Sequence, residues 1–592
     1  MLSLASVGVV ARKLLIGGLL ALLACAPATA ASQTLMPGVT YEKAVQFTPH
    51  GPVAIHVVRG PRPTGLYALR PTLSNEAIVG TERVTSMQKR LAAGATMVGV
   101  NGDMFAGSGR PSGVLVRDGV VESPPYGDRS SVGVTPDGAL DVRRVEFFGT
   151  WRGLGQRRAL SDMNQVPPAN GISLFTPAYG PSTPALPGAV EAVIQPLPPT
   201  APNTDLSGPV VHVAQNGGTP IPQGGAVLVA RGTAAQRLAE EVPIGTTVAL
   251  RIILRPEWTG IQQAVGGGPV IVRDGAPVFR SLEAFTASQL SPRHPRTGVG
   301  QLADGRVLMV VVDGRRPGYS VGMTNFELAQ TLVRLGAVTG SALDAGGSST
   351  LAFDGRLLNR PSDPGGERAV STSLQLMYYG VYAPAVEPVI SPNGDGWLET
   401  QRELAYKVVR PSNVTATLVA PDGQAAFTET LQRLPGVYPV PFESAGAAEG
   451  RWRLEVSATD DLGRPSKTMQ VFRVNNTLGF PRLSRRNLVV REGGKQSIVA
   501  GVTLTRPARV TATVETKTGV QVATIAIRRV PAGRYSASWR GTTRGGRFLV
   551  YGGLYQVRFR ATNELGAVDV VSKVFRVTRA APLKKKPEKP AG

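Results

Sequence analysis

The C-terminal part of this 592-residue chain repeats itself, and the repeat constrains the fold more than any other feature of the sequence. Residues 410–417 (RPSNVTAT) correspond to residues 506–513 (RPARVTAT), and the run VFRV at 471–474 recurs at 574–577. Each copy of roughly 100 residues contains short alternating runs separated by Gly, Pro and Asp, a pattern typical of a seven-stranded immunoglobulin-like sandwich. We therefore predict two all-β sandwiches in this part of the chain.

The repeat places domain boundaries at residues 384–478 and 479–579, with a basic disordered tail at 580–592. The two copies resemble the flagellar-hook-capping type of immunoglobulin-like repeat, which is appended to many exported enzymes. The run Ser391–Gly396 (SPNGDG) resembles the opening motif of such modules. Its oxygen-bearing side chains suggest calcium, but Arg402 stands where an EF-hand loop places its bidentate Glu, so a turn at the domain entry is favoured.

The N-terminal residues have the pattern of a secretory signal. Arg12 and Lys13 precede an apolar run, and the small residues 28–30 follow it as a cleavage site. We predict a signal peptide over residues 1–30 and an exported protein, in the extracellular space, periplasm or cell wall. A lipid anchor on Cys25 is the alternative. Because Cys25 is the only cysteine, the mature chain has no disulfide, and no later stretch is long enough to span a membrane.

The positive charge is concentrated at the C-terminus. Residues 481–592 contain 23 Lys and Arg against 5 Asp and Glu, while the whole chain has a net charge of +23. Such a segment attracts polyanions, for example a wall polymer, an acidic polysaccharide or an anionic lipid. The alternative is a surface that is merely solubilising. No nucleic-acid-binding signature occurs, so a specific nucleic-acid partner is not expected.

Residues 31–383 have mixed patterning and are predicted to form one α+β domain. Ala226–Ala230 and Val307–Val312 are apolar runs of strand length, whereas Phe326–Leu335 has helical spacing and ends at a Leu-Gly stop. The proline-rich stretch Pro181–Pro202 is predicted to be a surface loop.

Polar residues of this domain follow strand-like runs, where loops can present them to a ligand. Four segments carry them: Asn101–Phe105 with Gly109–Gly113; Gly266–Pro269 with Pro295–Gly300; Asp313–Arg315; and Asp344–Thr350 with Asn359, Pro361–Asp363 and Glu367–Arg368. The carboxylates suit proton transfer or nucleophilic attack, and guanidinium groups can clamp a phosphodiester. The candidate carboxylates are Asp103, Asp313, Asp344 and Glu367, and the candidate guanidinium groups are those of Arg296, Arg315 and Arg368.

Taken together, these segments resemble the phosphodiester glycosidase family over residues 85–382. The family's order of N-G-x-x-F, G-G-G-P, P-R-T-x-x-G, D-G-[RQ], L-D-G-G-G-S and P-S-D motifs is kept. One departure occurs in L-D-G-G-G-S, because Ala345 replaces its first glycine. If that glycine needs a left-handed conformation, the loop geometry and activity are affected.

The resemblance implies hydrolysis of a sugar-1-phosphodiester, of the N-acetylglucosamine-1-phosphodiester type, at the glycosidic carbon. The substrate is expected in a wall or surface glycopolymer, with the sandwiches as spacer and anchor. Arg296, Arg315 and Arg368 are assigned to phosphate, and Asp344 and Asp313 act as nucleophile or base. The remaining assignments place Asn101, Asp103, Thr297 and Asn359 on the substrate, and Gly347, Ser348 and Ser349 in an anion cradle.

Two other functions stay open. A catalytically inactive domain would bind glycan without cleaving it, and a phosphodiesterase would cut the P–O bond instead, with metal assistance as one route. His294 is a candidate general acid, although a packing role is favoured. No metal ligands are assigned in this domain, and the one cofactor considered is a divalent cation such as calcium.

Overall fold

The computed structural model describes residues 32–258, 260–492, 494–543 and 549–581. The predicted signal peptide, Cys25 and most of the basic tail lie outside the described residues. Within the described residues, no helix is both long and apolar enough to cross a membrane.

The described residues of the N-terminal region form 26 strands and four α-helices. Its strands are β1 (Gln33–Met36), β2 (Val39–Thr48), β3 (Gly51–Gly60), β4 (Tyr67–Leu73), β5 (Thr96–Asn101), β6 (Leu115–Arg117), β7 (Val120–Ser123), β8 (Ser130–Val134), β9 (Leu140–Arg144), β10 (Glu146–Arg152), β11 (Arg158–Leu160), β12 (Asp162–Met163), β13 (Ile172–Phe175), β14 (Ala185–Ile194), β15 (Asp205–Gly217), β16 (Ala226–Ala230), β17 (Thr247–Arg255), β18 (Gln263–Gly266), β19 (Val270–Arg273), β20 (Ala276–Pro277), β21 (Arg296–Leu302), β22 (Val307–Val312), β23 (Ala337–Ala342), β24 (Leu351–Phe353), β25 (Arg356–Leu357) and β26 (Thr372–Tyr378). Its helices are α1 (Val84–Leu91), α2 (Thr233–Glu241), α3 (Ala287–Leu290) and α4 (Asn325–Arg334).

The α+β prediction for this region is wrong, because strands dominate it. The four α-helices are short, the longest being the ten residues of α4. The predicted helix at Phe326–Leu335 is confirmed as α4, which begins at a Thr324 capping box. The predicted loop at Pro181–Pro202 is also wrong: it contains β14, which lies between β15 and β16 with a buried C-terminal half. Most prolines of this stretch lie outside β14, so their lack of a backbone N–H does not interrupt the hydrogen bonds between β14 and its neighbouring strands.

Four sheets build the N-terminal region. One eight-stranded sheet has the order β1-β2-β3-β22-β21-β23-β19-β20, and a second has the order β11-β10-β17-β15-β14-β16-β13-β12. Two five-stranded sheets have the orders β7-β6-β18-β8-β9 and β25-β24-β5-β26-β4. Strands β3 and β22 have apolar residues on both faces and are buried, so the first sheet forms the centre of the region.

The C-terminal part consists of strands alone among the described residues. They are β27 (Val389–Ile390), β28 (Leu404–Val408), β29 (Ser412–Val419), β30 (Ala425–Arg433), β31 (Gly436–Val440), β32 (Gly450–Asp460), β33 (Pro465–Val474), β34 (Leu478–Leu483), β35 (Asn487–Val490), β36 (Ile498–Leu504), β37 (Ala508–Thr516), β38 (Gln521–Val530), β39 (Gly533–Trp539), β40 (Gly553–Asn563), β41 (Gly566–Val571) and β42 (Phe575–Arg579). We call β27–β33 the first C-terminal region and β34–β42 the second.

The sequence repeat corresponds to a repeated strand order. The first C-terminal region has the sheet β27-β33-β32-β29-β30, and the second has β35-β42-β40-β37-β38 with β41 paired to β40. In both, the VFRV run pairs in parallel with the first strand of its sheet. Each region encloses an apolar core of its own, around Trp452 in the first and Trp539 in the second. Two packed β layers therefore occur twice in the described residues.

Side chains tie the regions to one another. The buried Lys407 ammonium of the first C-terminal region donates to the Ala95 carbonyl at 3.0 Å. Trp397 Nε1 donates to the Asp569 carbonyl of the second C-terminal region at 2.9 Å.

Candidate active site

The strand order of the central sheet brings two carboxylates of the motifs, those of Asp313 and Asp344, to one end of its strands. Strand β21 lies between β22 and β23 and runs antiparallel to both, so that Arg296 pairs with Val312 and Gly298 pairs with Ala342. The residues that start β21 therefore lie beside those that follow β22 and β23. Asp313 and Asp344 come to the same end of the sheet by this pairing.

Asn101 joins three of the motif segments. Its side-chain carbonyl accepts from Thr297 Oγ1 at 2.8 Å and from the Thr350 N–H at 3.1 Å. Its amide donates to the Asp344 carbonyl at 2.8 Å. Asn101 and Thr297 are completely buried, and these bonds use their polar atoms within the protein. The geometry gives both residues a structural role at the base of the site.

Asp344 follows β23 and lines a cleft of about 220 Å³. Its Oδ1 accepts from the Ala345 N–H at 2.8 Å. Burial raises the pKa of this carboxyl and outweighs the opposing effects of the Ser348 hydroxyl, the Ala345 N–H and the Arg368 charge. A carboxyl of this kind is a stronger base than an exposed aspartate.

Asp103 lies close enough to Asp344 for the two carboxyls to interact electrostatically. Burial is the largest cause that raises the pKa of Asp103 to about 7; the Asp344 charge adds to it, and the Gly113 and Met104 N–H groups oppose it. These N–H groups donate to its two carboxyl oxygens at 2.5 and 2.8 Å. A Cβ at Gly266 would overlap Asp103 Oδ2, which explains a glycine of the G-G-G-P motif.

Asp313 has a different environment. Its carboxylate accepts from His56 Nε2 at 3.0 Å, Tyr319 Oη at 2.8 Å and Asn359 Nδ2 at 3.0 Å, and from the Arg360 N–H at 3.1 Å. Burial opposes ionisation, but the hydrogen bonds and the nearby His56 outweigh it, so the pKa of Asp313 is lowered. The Asp313 carboxylate therefore holds together the segments around the D-G-R motif. Asn359 is one of the residues that bind it.

Sequence reasoning missed the partners of Asp313. His56 is fully buried in β3, and its Nδ1 lies 2.8 Å from the Tyr41 hydroxyl. Burial and the Asp313 charge raise the pKa of Tyr41 to about 12. The available signal was a histidine inside the apolar run 53–58, since a buried polar side chain needs a partner.

Arg315 and the glycine-rich loop form one wall of the cleft. Arg315 is exposed and has a left-handed backbone, with φ at 58°. A Cβ at Gly346 would lie 2.9 Å from its Nη2, and Gly346 itself has φ at 71°. Ala345 is extended, with φ at −120°, which any residue adopts. The left-handed position of the loop is therefore a glycine, and Ala345 causes no backbone strain.

Arg368 lies against the other glycine of this loop. It forms a bidentate pair with Asp363, with distances of 2.8 and 3.1 Å. A Cβ at Gly347 would overlap both partners of the pair. Ser348 and Ser349 are buried in the same turn, and the Ser349 hydroxyl has no hydrogen-bond partner among the described residues. The loop thus lies between two arginines.

Arg296 lines the cleft but uses its guanidinium elsewhere. Its nitrogens donate to the carbonyls of four residues, at 2.8–3.2 Å: Met323, Gln289, Leu290 and Pro292. Burial and the Arg315 charge lower the pKa of Arg296 to about 10. Arg296 therefore holds the segment 289–292 in place.

Glu367 is not brought to the cleft. Its carboxylate accepts from the Thr85 N–H at 3.0 Å and from the Thr85 hydroxyl at 2.5 Å, at the start of α1. A carboxylate at that position satisfies a free N–H of the first helical turn and interacts favourably with the helix dipole.

Two further residues beside Asp344 complete the site. His294 lines the cleft, with its Nδ1 at 3.4 Å from Arg315 Nε, and burial together with the charges of Arg315 and Arg296 lowers its pKa. Arg129, which sequence reasoning missed, lies with its guanidinium 4.5 Å from the centre of the Phe285 ring and is near enough to Asp103 and Asp344 to act on both.

Metal-ligand geometry is not found in the described ranges, where no group of three or more His, Cys, Asp or Glu side chains could hold an ion. At the SPNGDG turn, Asp395 Oδ2 accepts from the Phe480 N–H at 2.7 Å and Glu399 accepts from the Gly394 and Gly396 N–H groups. These carboxylates stabilise the turn and its contact with β34.

Comparison with known sequences gives one family match. Residues 203–377 match the phosphodiester glycosidase family. A segment of 119 residues is 34% identical to an uncharacterised SPbeta prophage-derived protein of Bacillus subtilis (strain 168), covering 20% of this chain and 18% of that protein. The chain thus spans less than a fifth of the length of this curated relative.

One solved structure shows a similar fold. A hypothetical protein from Synechocystis has a TM-score of 0.50 and 24% identity, over 59% of this chain and 64% of that one. The zebrafish N-acetylglucosamine-1-phosphodiester alpha-N-acetylglucosaminidase catalytic domain has a TM-score of 0.33 and 15% identity, over 59% of this chain and 86% of that one. The match to the phosphodiester glycosidase family covers residues 203–377, the segment that contains Arg315, Asp344 and the glycine-rich loop.

Proposed function

We propose that this protein hydrolyses a sugar-1-phosphodiester at the anomeric carbon. The observation that carries the proposal is the Asp344 carboxyl, which has a raised pKa and shares one cleft with the exposed Arg315. A basic carboxylate beside a guanidinium suits a reaction in which positive charge develops on a sugar and negative charge on a phosphate.

In the proposed reaction, the oxygen of a water molecule becomes bonded to C1 of the sugar. The bond between C1 and the bridging phosphate oxygen breaks, and its electron pair leaves on the phosphate as a phosphomonoester. Asp344 either adds to C1 first or accepts the proton of the attacking water, and the anomeric configuration of the product distinguishes the two routes. Because a phosphate is stable as an anion, its departure needs little protonation.

Arg315 is assigned to the phosphate. Its guanidinium can offer two parallel N–H donors to phosphate oxygens, and the absence of a side chain at Gly346 lets this guanidinium lie close to the glycine-rich loop. Arg296 is assigned to positioning because its donors are already used by backbone carbonyls. His294 has a lowered pKa, so a neutral imidazole is available in the same cleft to accept a proton.

The test is the fate of labelled oxygen. We would incubate the full chain with sugar-1-phosphodiesters in H₂¹⁸O, with and without chelator, and analyse both products by mass spectrometry. Label in the sugar supports the proposed reaction. Label in the phosphate would assign the protein to phosphodiesterases, and tight glycan binding without turnover would make it a binding protein. The Ala345 geometry gives the binding alternative no support, because the residue is extended.

We also propose that the second C-terminal region holds the exported protein on a polyanionic surface, such as a wall polymer. On its outer face, the exposed Arg509 lies directly opposite the exposed Arg529 in the β37–β38 ladder. Like charges in that position repel each other, and an anion bound across them would remove the cost.

Retention on an immobilised polyanion tests this anchor. The Arg509→Gln/Arg529→Gln variant is expected to elute at lower salt than the wild type, because exposed charges are screened within roughly 8 Å at physiological ionic strength. Arg273→Gln, an exposed change in the N-terminal region, is the matched control. Equal elution of all three proteins would contradict the proposal.

A further inference from the structure

The cleft continues into an apolar groove of about 600 Å³. The groove and the cleft share Pro269, Phe285, Leu290 and Asn325, so a ligand can extend from one into the other without leaving the protein surface. We call it the Phe279 groove and define it by its apolar lining: Ile271, Phe279, Leu282, Phe285, Leu290 and Phe326.

Two side chains of this groove are unusually exposed for their type. Phe279 is 75% exposed and Leu282 is 82% exposed. Phe279 packs edge-on against Phe326, with ring centres 5.3 Å apart, and Leu282 has a left-handed backbone with φ at 56°. A left-handed leucine is conformationally costly, and strain of this kind concentrates at ligand sites. Exposed apolar side chains at the mouth of a cleft indicate a ligand that covers them.

Two polar side chains of the Phe279 groove, Glu283 and Thr324, are engaged within the protein. Glu283 accepts from the Ser130 N–H and hydroxyl and from the Val270 N–H, at 2.7–2.8 Å. The Thr324 hydroxyl accepts from the Glu327 N–H of α4. The rest of the lining is mainly apolar, and the Asn325 Oδ1, which has no hydrogen-bond partner among the described residues, lies where the groove meets the cleft. Arg280 contributes a positive charge to the lining, which suits a ligand that carries a phosphate.

From this geometry we propose that the Phe279 groove is the aglycone subsite and that the substrate class is a sugar-1-phosphodiester whose far side is a hydrocarbon chain, such as a prenyl or alkyl group. This inference rests on the proposed function. The sugar occupies the side of Asp344, the phosphate lies at Arg315, and the chain covers Phe279 and Leu282. Burial of each methylene group then adds to affinity.

The first experiment measures binding and does not depend on turnover. Octyl phosphate and methyl phosphate are titrated calorimetrically into the full chain. Octyl phosphate is expected to bind at least about 10-fold more tightly to the wild type, since several additional methylene groups are buried. In the Phe279→Ala/Leu282→Ser variant this preference should fall to about 2-fold or less. Equal affinity of the two phosphates for the wild type would overturn the subsite, as would glycerol phosphate binding as tightly as octyl phosphate.

A control variant separates the groove from exposed apolar surface in general. Phe47→Ala/Leu434→Ser changes the same two residue types at positions that are 83% and 67% exposed, in β2 and next to β31. It should keep the preference for octyl phosphate. Equal loss of preference in both double variants would contradict the assignment, because the effect would not belong to the groove.

The second experiment compares octyl and methyl esters of one sugar 1-phosphate as substrates. A kcat/KM ratio favouring the octyl ester, lost in Phe279→Ala/Leu282→Ser while cleavage of the methyl ester persists, supports both proposals. Equal rates for the two esters in the wild type would overturn the subsite alone. Preferential binding of octyl phosphate with no cleavage of either ester would instead overturn the proposed reaction and leave a hydrocarbon-phosphate site.

Discussion

Asp313 and Asp344 follow β22 and β23, the two strands that flank β21, and lie at the same end of one sheet, yet their chemistry differs. Four groups donate to the carboxylate of Asp313, and its pKa is lowered. Asp344 accepts a single backbone hydrogen bond from Ala345, lines the cleft and has a raised pKa. The number of protein donors around a buried carboxylate thus decides whether it stabilises the fold or remains available for a substrate.

The largest expected effect is the loss of activity in Asp344→Asn. Without the carboxylate, kcat/KM for sugar release should fall at least ~1,000-fold, because the reacting carbon loses its nucleophile or base. The melting temperature should not fall, since the change removes a buried charge. Asp274→Asn, in an exposed hairpin turn, is the control. Activity within 10-fold of the wild type would move the chemistry away from Asp344.

Asp313→Asn should instead act on stability. The amide cannot accept from all the groups that face it, so the free energy of unfolding should decrease by about 3–5 kcal/mol, the usual cost of breaking a buried pair. Urea unfolding measures the change in the free energy of unfolding. Hydrogen exchange of the β3 and β22 amides then shows whether these two strands are the ones that are destabilised. Unchanged exchange in both strands would show that Asp313 is not the structural member of the pair.

A pH series sharpens the comparison through Asp103. Its folded-state pKa is about 7, against an ordinary value of 3.8, so the folded chain binds more protons than the unfolded chain between these values. The free energy of unfolding should therefore decrease as pH rises from about 4 to 7, by up to about 4 kcal/mol. Asp103→Asn should lose this contribution and keep the weaker dependence that the raised pKa of Asp344 causes. If the plots of unfolding free energy against pH were parallel for the wild type and Asp103→Asn, Asp103 would not be the buried carboxyl that interacts with Asp344.

Arg315 and Arg296 differ in the same way, because Arg315 is assigned to the ligand and Arg296 stabilises the fold. Arg315→Ala should raise KM by about 10–100-fold with little change in stability, because it removes a charged hydrogen bond to the ligand. Arg296→Ala should lower the melting temperature, since four carbonyls lose their donor. Kinetics and differential scanning calorimetry on both variants measure the contrast. If Arg296→Ala raised KM and Arg315→Ala lowered the melting temperature, Arg296 would be the phosphate ligand and Arg315 the structural residue.

The smallest effect is expected for Ala345→Gly. Because Ala345 is already extended, glycine adds only freedom to the unfolded chain, and stability should decrease by less than about 1 kcal/mol with activity within about 2-fold. A large gain of activity would show that the alanine methyl group obstructs the loop.

The local sequence predicted those features that depend on local chemistry. Composition predicts turns at the Asp-Gly pairs that begin at 118, 274, 304 and 354, and all four lie in turns, three of them with a left-handed aspartate. Helix α4 and the repeated strand order were also readable, because each has a periodic pattern. The α+β prediction is wrong because helical spacing extends over only a few short segments, whereas the strands that dominate the region are many and mostly too short to show a clear period of their own.

The candidate site was only partly predictable, for a physical reason. The motif segments do meet, but Asp313, Asp344 and Glu367 cannot be told apart until their donors are known. Those donors come from distant segments: His56 is 257 residues from Asp313, and Thr85 is 282 residues from Glu367. No local pattern reports such a contact, whereas a histidine in an apolar strand signals that one exists.

The Asn101 junction has a consequence for how the chain acquires its fold. Asn101 and Thr350 are 249 residues apart, and β3 must pair with β22 across a similar distance. Contacts of such long range slow folding, because a large loop must close before any of them is gained. During synthesis, the edges of the first strands stay unpaired until the segment around residue 350 is available to pair with them. The N-terminal region should therefore depend on chaperones during folding more than the two small C-terminal regions do. The cleft should be among the last parts of the protein to form.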